Sequence, residues 1–166
     1  ELSVELYELT HKVCESHGLP AYEVSNHARP GAESRHNLTY WRYGDYAGIG
    51  PGAHGRLTRG PYKIATATER RPEAWLDLVE RQGHGMVDEE ELGRDEQADE
   101  LLLMGLRLTE GVDLARWQQL SGRDPDPVRE QTLLEHGFIE RLGNSRLRCT
   151  PSGMLILDSV VADLAC

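Results

Sequence analysis

Between Tyr22 and Arg56 the chain reads YEVSNHARPGAESRHNLTYWRYGDYAGIGPGAHGR, and no other stretch restricts its fold as strongly. It holds His27, His36 and His54 out of 7 histidines, and Tyr22, Tyr40, Tyr43 and Tyr46 out of 6 tyrosines, followed by Gly48, Gly50, Gly52 and Gly55. Such a mixture is a poor recipe for an ordinary core, because buried imidazoles and hydroxyls need partners and glycines add no apolar surface. The stretch reads as a site, flanked on both sides by helical scaffolding.

A chain of 166 residues with 39% hydrophobic content can bury a real core as one ordinary domain or two small ones. Its net charge of -10 argues against broad contact with phosphate backbones or anionic lipid. The longest apolar run, Met154 to Leu157, is far too short to span a bilayer, and no leader pattern is present. The expectation is a cytoplasmic protein without a transmembrane segment. Cys14, Cys149 and Cys166 are odd in number and widely spaced, which fits reduced thiols better than a disulfide framework or a metal knuckle. The chain opens on Glu1 inside a helical pattern, so an upstream part is expected.

Leu2, Leu6, Leu9 and Val13 lie at helical spacing, and Gly18 and Pro20 end a helix over roughly Leu2 to His17. Tyr22 to Ser25 then reads as a strand, the chain is irregular up to Trp41, and Asp45 to Ile49 reads as a second short strand entering the glycine-rich loop. Arg59 to Thr68 reads as a linker. Pro72 opens a helix through Arg81 with Trp75, Leu78 and Val79 on its buried side. The acidic run Asp88 to Glu91 suits a helix N-terminus or a solvated face. A longer, largely buried helix is expected from about Arg94 to Leu108.

Asp113 caps a short helix to Leu120, Asp126-Pro127 opens another that Gly137 closes, and Phe138 to Leu142 and Arg146 to Cys149 form a ribbon around the turn Gly143-Asn144-Ser145. Thr150-Pro151 starts the final helix. Two helices, a ribbon and a helix outline a winged-helix-like bundle. Its recognition-helix candidate, Pro127 to His136, carries Arg129 against Glu130 and Glu135, a balance that repels phosphates. A protein-docking or intramolecular role is the expectation, and no nucleic acid is expected as a partner.

The chemistry candidates converge on His36-Asn37-Leu38-Thr39-Tyr40-Trp41. A neutral imidazole can ligate iron, and aromatic rings can cover the apolar face of a flat macrocycle. One histidine in six residues is not a metal motif by spacing, so the residues alone leave open both a heme site and a satisfied structural histidine. The glycine loop is equally open between a pocket lining and a tight turn. His27 reads as structural, and His11, His17, His84 and His136 as solvated.

The same stretch closely resembles the HemW branch of the oxygen-independent coproporphyrinogen III oxidase-like radical SAM proteins, regarded as heme chaperones. His36 to Trp41 matches the HNxxYW signature, Gly44 to Gly55 the GDYxGxGxGAHG pattern, and Glu100 to Arg107, Glu110 to Val112 and Leu147 to Gly153 the C-terminal domain. The resemblance implies an α/β fold in which residues 1 to 60 end a radical SAM partial barrel, 61 to 93 form a linker and connecting helix, and 94 to 166 form a helical winged-helix-like domain. It implies heme as cofactor, with His36 as candidate axial ligand to the heme iron, Tyr40 and Trp41 as stacking or supporting partners, and Asn37 orienting a turn or a propionate. Gly50, Gly52, Ala53 and His54 correspond to the cofactor-side loop.

The family's CxxxCxxC is absent, and no catalytic residue is carried over. S-adenosylmethionine and a 4Fe–4S cluster are expected only with an N-terminal part that precedes this chain. The implied partner is a heme-acceptor protein, membrane-associated in the fullest version of the reading, and homodimerisation stays open. Two other functions compete: an oxygen-independent coproporphyrinogen III oxidase, which the HNxxYW signature disfavours, and a docking module for protein or nucleic acid.

Overall fold

Residues 2–143 and 145–165 are described by a computed structural model of the protein; Glu1, Asn144 of the wing turn and Cys166 lie outside the described residues. Contacts group the chain into two units, Glu1–Tyr43 with Ala98–Cys166, and Gly44–Gln97.

In the larger unit, α1 (Leu2–Ser16) takes its expected span, yet no residue of it is buried and its stripe of Leu2, Leu6, Leu9 and Val13 stands exposed. The expected strand at Tyr22 to Ser25 is absent: the segment makes only single bridges, Ala21 to His27 and Glu23 to Leu108. The Glu23 carboxylate bends it, since its Oε1 accepts from the backbone amide and the hydroxyl of Ser25 and from the side-chain amide of Asn26. The expected irregular chain before Trp41 contains a helix, α2 (Arg35–Trp41), started by Ser34, whose hydroxyl accepts from Asn37 N.

The core of this unit gathers Leu101, Leu102 and Leu106 with Val112, Trp117, Leu133, Ile139 and Leu147, and with Val160, Val161 and Leu164 from the last helix. α4 (Arg94–Gly105) ends earlier than its hydrophobic pattern suggests; a turn after Gly105 carries Leu108 to its bridge with Glu23. Asp113 and Asp126 cap α5 (Leu114–Ser121) and α6 (Pro127–Glu135) as their side chains imply, each accepting from two backbone amides. β4 (Val112–Asp113), β5 (Ile139–Leu142) and β6 (Arg146–Cys149) form an antiparallel sheet in the order β4-β6-β5. The expected final helix is two, α7 (Pro151–Met154) and α8 (Leu157–Ala165). Gly153 lies so close to Phe138 that a Cβ there would sit 1.8 Å from the Phe138 carbonyl oxygen. That packing fixes the direction of α7, and the chain bends before α8 continues into the core.

The smaller unit overturns the linker reading of 59 to 68. β1 (His54–Arg59) and β2 (Tyr62–Thr68) pair around the two-residue turn Gly60-Pro61, and β3 (Met86–Leu92) pairs with β2 after α3 (Pro72–Gln82) crosses between them. The acidic run is a strand rather than a helix start, and its side chains are solvated. Asp45 to Ile49 is likewise no strand, only the bridge of Tyr46 to Arg56. Asp45 instead ties its loop to the hairpin: it accepts from Thr58 N and Thr58 Oγ1, both at 2.8 Å, and from the buried Lys63 ammonium at 2.7 Å. Partial burial pushes the Asp45 carboxyl up, but these three hydrogen bonds outweigh it and bring it to about 2.

Trp117 is fully buried, so Trp117→Ala is expected to cost about 3–5 kcal/mol in urea unfolding through lost contacts and the cavity left behind. Because the Asp45 value lies below its ordinary 3.8, its stabilisation is complete above the ordinary carboxylate range and lost as pH falls toward about 2. Asp45→Asn should flatten that acid limb of the stability curve, measured by chemical unfolding from about pH 5 downward.

Candidate functional site

Four of the candidate residues sit together on α2. His36 and Tyr40, four residues apart, share a face, their ring centroids 4.7 Å apart and their planes crossed at 79°. The His36 side chain is exposed, and among the described residues no hydrogen bond engages either ring nitrogen. Asn37 donates from its side-chain amide to the Tyr22 hydroxyl at 3.2 Å, which ties the helix to the segment before it. Trp41 is half-buried beneath the Arg107 guanidinium, 4.5 Å from the ring centroid. Its indole N–H is buried without a hydrogen-bond partner among the described residues.

At the C-terminal end of α2, Arg42 grips Glu110 with two parallel bonds, Nε to Oε1 at 2.9 Å and Nη2 to Oε2 at 2.8 Å. Arg146, from the wing, donates to the Glu110 and Gly111 carbonyls at 2.8 and 2.7 Å and reaches Glu110 Oε1 at 3.4 Å. Arg116 donates to the carbonyls of Arg42 and Tyr43 at 2.6 and 2.9 Å, satisfying groups left open where the helix ends. Trp41 and these arginines border a cavity of about 380 Å³. The Arg42 hydrogen bond holds the Glu110 carboxyl below the ordinary carboxylate range, and the Glu110 hydrogen bond holds Arg42 above its own. Sequence reading missed this cluster; its members are separated by up to 104 residues and no local spacing connects them.

Gly50, Gly52, Ala53 and His54 lie in the smaller unit. Gly50 and Gly52 have φ of 103° and 70°, a backbone that favours glycine, and the loop they form is fastened to the end of β2. Thr68 Oγ1 donates to the Gly50 carbonyl at 2.6 Å and accepts from Ala53 N at 2.8 Å, while Gly52 N donates to the Glu69 carbonyl at 2.8 Å. The amides of Gly52 and Ala53 are therefore committed to the loop itself. His54 starts β1 opposite Ala67 and is exposed.

His11 departs from the solvated reading. Facing inward from α1, its ring lies 4.2 Å from Tyr7 and 4.7 Å from His27, and its Nε2 is buried. Among the described residues no three His, Cys, Asp or Glu are placed to hold a metal ion. Burial pushes the Cys149 thiol up to about 11, against the thiolate form that iron ligation needs. The described cysteines, Cys14 and Cys149, do not fit a 4Fe–4S site.

Residues 92–156 match the family described as the HemN C-terminal domain. The chain is 36% identical over 169 residues to the heme chaperone HemW of Bacillus subtilis, covering 96% of this chain and 42% of that protein. It is also 36% identical over 179 residues to the cattle radical S-adenosyl methionine domain-containing protein 1, mitochondrial, covering 99% of this chain and 39% of that protein. The solved structure of Escherichia coli coproporphyrinogen III oxidase, HemN, a radical SAM enzyme, superposes with a TM-score of 0.67 at 15% identity, over 95% of this chain and 39% of that one. The α/β architecture is thus that of part of a HemN-like radical SAM protein. Nearly the whole chain is similar to proteins named heme chaperone HemW and to radical S-adenosyl methionine domain-containing protein 1, and it spans about two fifths of the length of the curated relatives it matches.

Glu110→Gln removes the charge shared by Arg42 and Arg146. Both partners of the main pair are solvent-accessible, so the expected loss is about 1 kcal/mol in chemical unfolding at neutral pH. A carboxyl held below its ordinary range stabilises the fold above that range and stops doing so as pH falls through its folded value. The gap between parent and variant should therefore close in acid.

Proposed function

We propose that this chain holds heme at α2 and takes part in passing it to an acceptor protein associated with a membrane. The observation that carries the reading is the exposed His36 ring, its nitrogens free of hydrogen bonds among the described residues, on a capped helix beside Tyr40. A neutral imidazole in that state can take an axial position on heme iron, and the Tyr40 and Trp41 rings can shelter the macrocycle. Asn37, held by Tyr22, fixes how the helix presents them. The relationship to proteins named heme chaperone HemW supports the same cargo.

In this reading heme is cargo. S-adenosylmethionine and a 4Fe–4S cluster would be held by residues other than those described, since no suitable thiol set exists among them. Gly50, Gly52, Ala53 and His54 serve the cofactor-side loop as a rigid turn, with His54 as its one ionisable side chain. We place the protein in the cytoplasm, where its thiols stay reduced; the cattle and mouse relatives are named mitochondrial. Against a nucleic-acid partner, each wing arginine engages a carboxylate: Arg141 with Glu130, Arg146 with Glu110 and Arg148 with Glu140.

The second reading, coproporphyrinogen III oxidation, draws support from the superposition on HemN. That match carries 15% identity, against 36% to the Bacillus subtilis chaperone, and we rank it below.

Titration of hemin into the complete protein, followed by the Soret band, tests the proposal. The parent should show a saturable shifted band, and His36→Ala should bind at least about tenfold more weakly, a loss of about 1.4 kcal/mol. An unchanged band and affinity would remove His36 from the site. Conversion of coproporphyrinogen III to protoporphyrinogen IX by the reconstituted protein would favour the oxidase reading instead.

A further inference from the structure

A second cavity, of about 470 Å³, opens within the larger unit between α1, the bend at residues 21–24, β6 and α7. No residue of α2 lines it. Its floor carries Glu23, which is 1% exposed. Only one carboxylate oxygen of Glu23 is used: Oε1 accepts from Ser25 and Asn26, while Oε2 is buried without a hydrogen-bond partner among the described residues. His11, on the same wall, has its Nε2 buried and equally without a partner. Buried polar atoms left open carry a desolvation cost of about 1–3 kcal/mol each, more for a charged group, and a carboxylate oxygen is satisfied only by a donor.

The chemistry of that donor follows from the walls. Glu8, Glu15, Glu23 and Glu140 face Lys12 and Arg148, and Arg148 is already bound to Glu140 at 2.9 Å, so the cavity has an acidic excess. Val24, Met154 and Leu155 give it an apolar side. A bare metal ion lacks the ligand set, because no three suitable side chains converge among the described residues. An anion would meet the Glu23 carboxylate. Its volume, its apolar lining and the polar side chains of Glu23 and His11 on its wall match the usual small-molecule site.

We propose that this cavity binds a small organic cation, an ammonium group on a short apolar body, which donates to Glu23 Oε2 and His11 Nε2 while its carbon chain packs against Met154 and Leu155. Neighbouring groups are in the protonation states this needs. Burial, and then the proximity of His11, keeps His27 below the ordinary histidine range, so it adds no competing positive charge at neutral pH. Burial, and then Glu23, pushes Tyr7 up, so its phenol stays neutral. The site is independent of heme at α2.

Calorimetric titration of the protein with n-pentylammonium chloride, with n-pentanol and pentanoate as controls, tests this. One saturable site is expected for the ammonium and none for either control. Leu155→Trp, at an exposed position on the cavity wall, should weaken binding at least about tenfold by plugging the space, and Glu23→Gln should do the same with its circular dichroism unchanged. Glu23 also anchors Ser25 and Asn26, so if Glu23→Gln does not fold, Leu155→Trp alone decides. Absence of saturable ammonium binding, equal binding of pentanol, or parent-like affinity in Leu155→Trp or in a folded Glu23→Gln would overturn the proposal.

Discussion

Glu110 joins three parts of the larger unit that are remote in sequence: the end of α2 through Arg42, the turn after α4, and the wing through Arg146. A single carboxylate accepting from two guanidinium groups fixes both direction and distance, because the fork geometry of arginine leaves little angular freedom. Arg116 completes the arrangement by capping the carbonyls of Arg42 and Tyr43. A helix of 7 residues is too short to persist on propensity alone, so the position of His36 and Tyr40 depends on these anchors, on Ser34 at one end and on Asn37 at its side.

This dependence explains the odd composition of the HNLTYW segment. Its residues serve two masters. Asn37 and Trp41 face the protein, one bonded to Tyr22 and the other covered by Arg107, while His36 and Tyr40 lie on a neighbouring face with the histidine in solvent. A segment that splits in this way shows no clean hydrophobic period, and for that reason it reads as irregular chain in the sequence. Ser34, three residues before the amide it caps, was the one local sign of a helix start.

Elsewhere, legibility follows how local the determining forces are. Asp113, Asp126 and Pro127 mark helix starts through interactions within three residues, and those helices lie where the sequence places them. β2 and β3 were missed because a strand is defined by its partner: alternation in YKIATAT was available as a signal, but four consecutive acids in β3 hide any inward-facing period. The split between α7 and α8 depends on the approach of Gly153 to Phe138, a contact no pattern near Gly153 announces. For the candidate site, the side chains on α2 could be named from the motif, whereas the charged groups that steady it, Glu110, Arg116 and Arg146, come from the turn after α4, from α5 and from β6 and become visible only in three dimensions.

Among the described residues β3 is the outer strand of its sheet, paired with β2 alone, and Asp88, Glu89, Glu90 and Glu91 stand along it. A strand edge offers a row of unused amides and carbonyls to any extended chain that drifts against it. A second copy docking there in register would bring carboxylates face to face, and the repulsion would outweigh the backbone bonds gained. The acidic run thus acts as a guard on the sheet's open side, keeping neighbouring molecules from extending it while leaving the strand free to pair with β2.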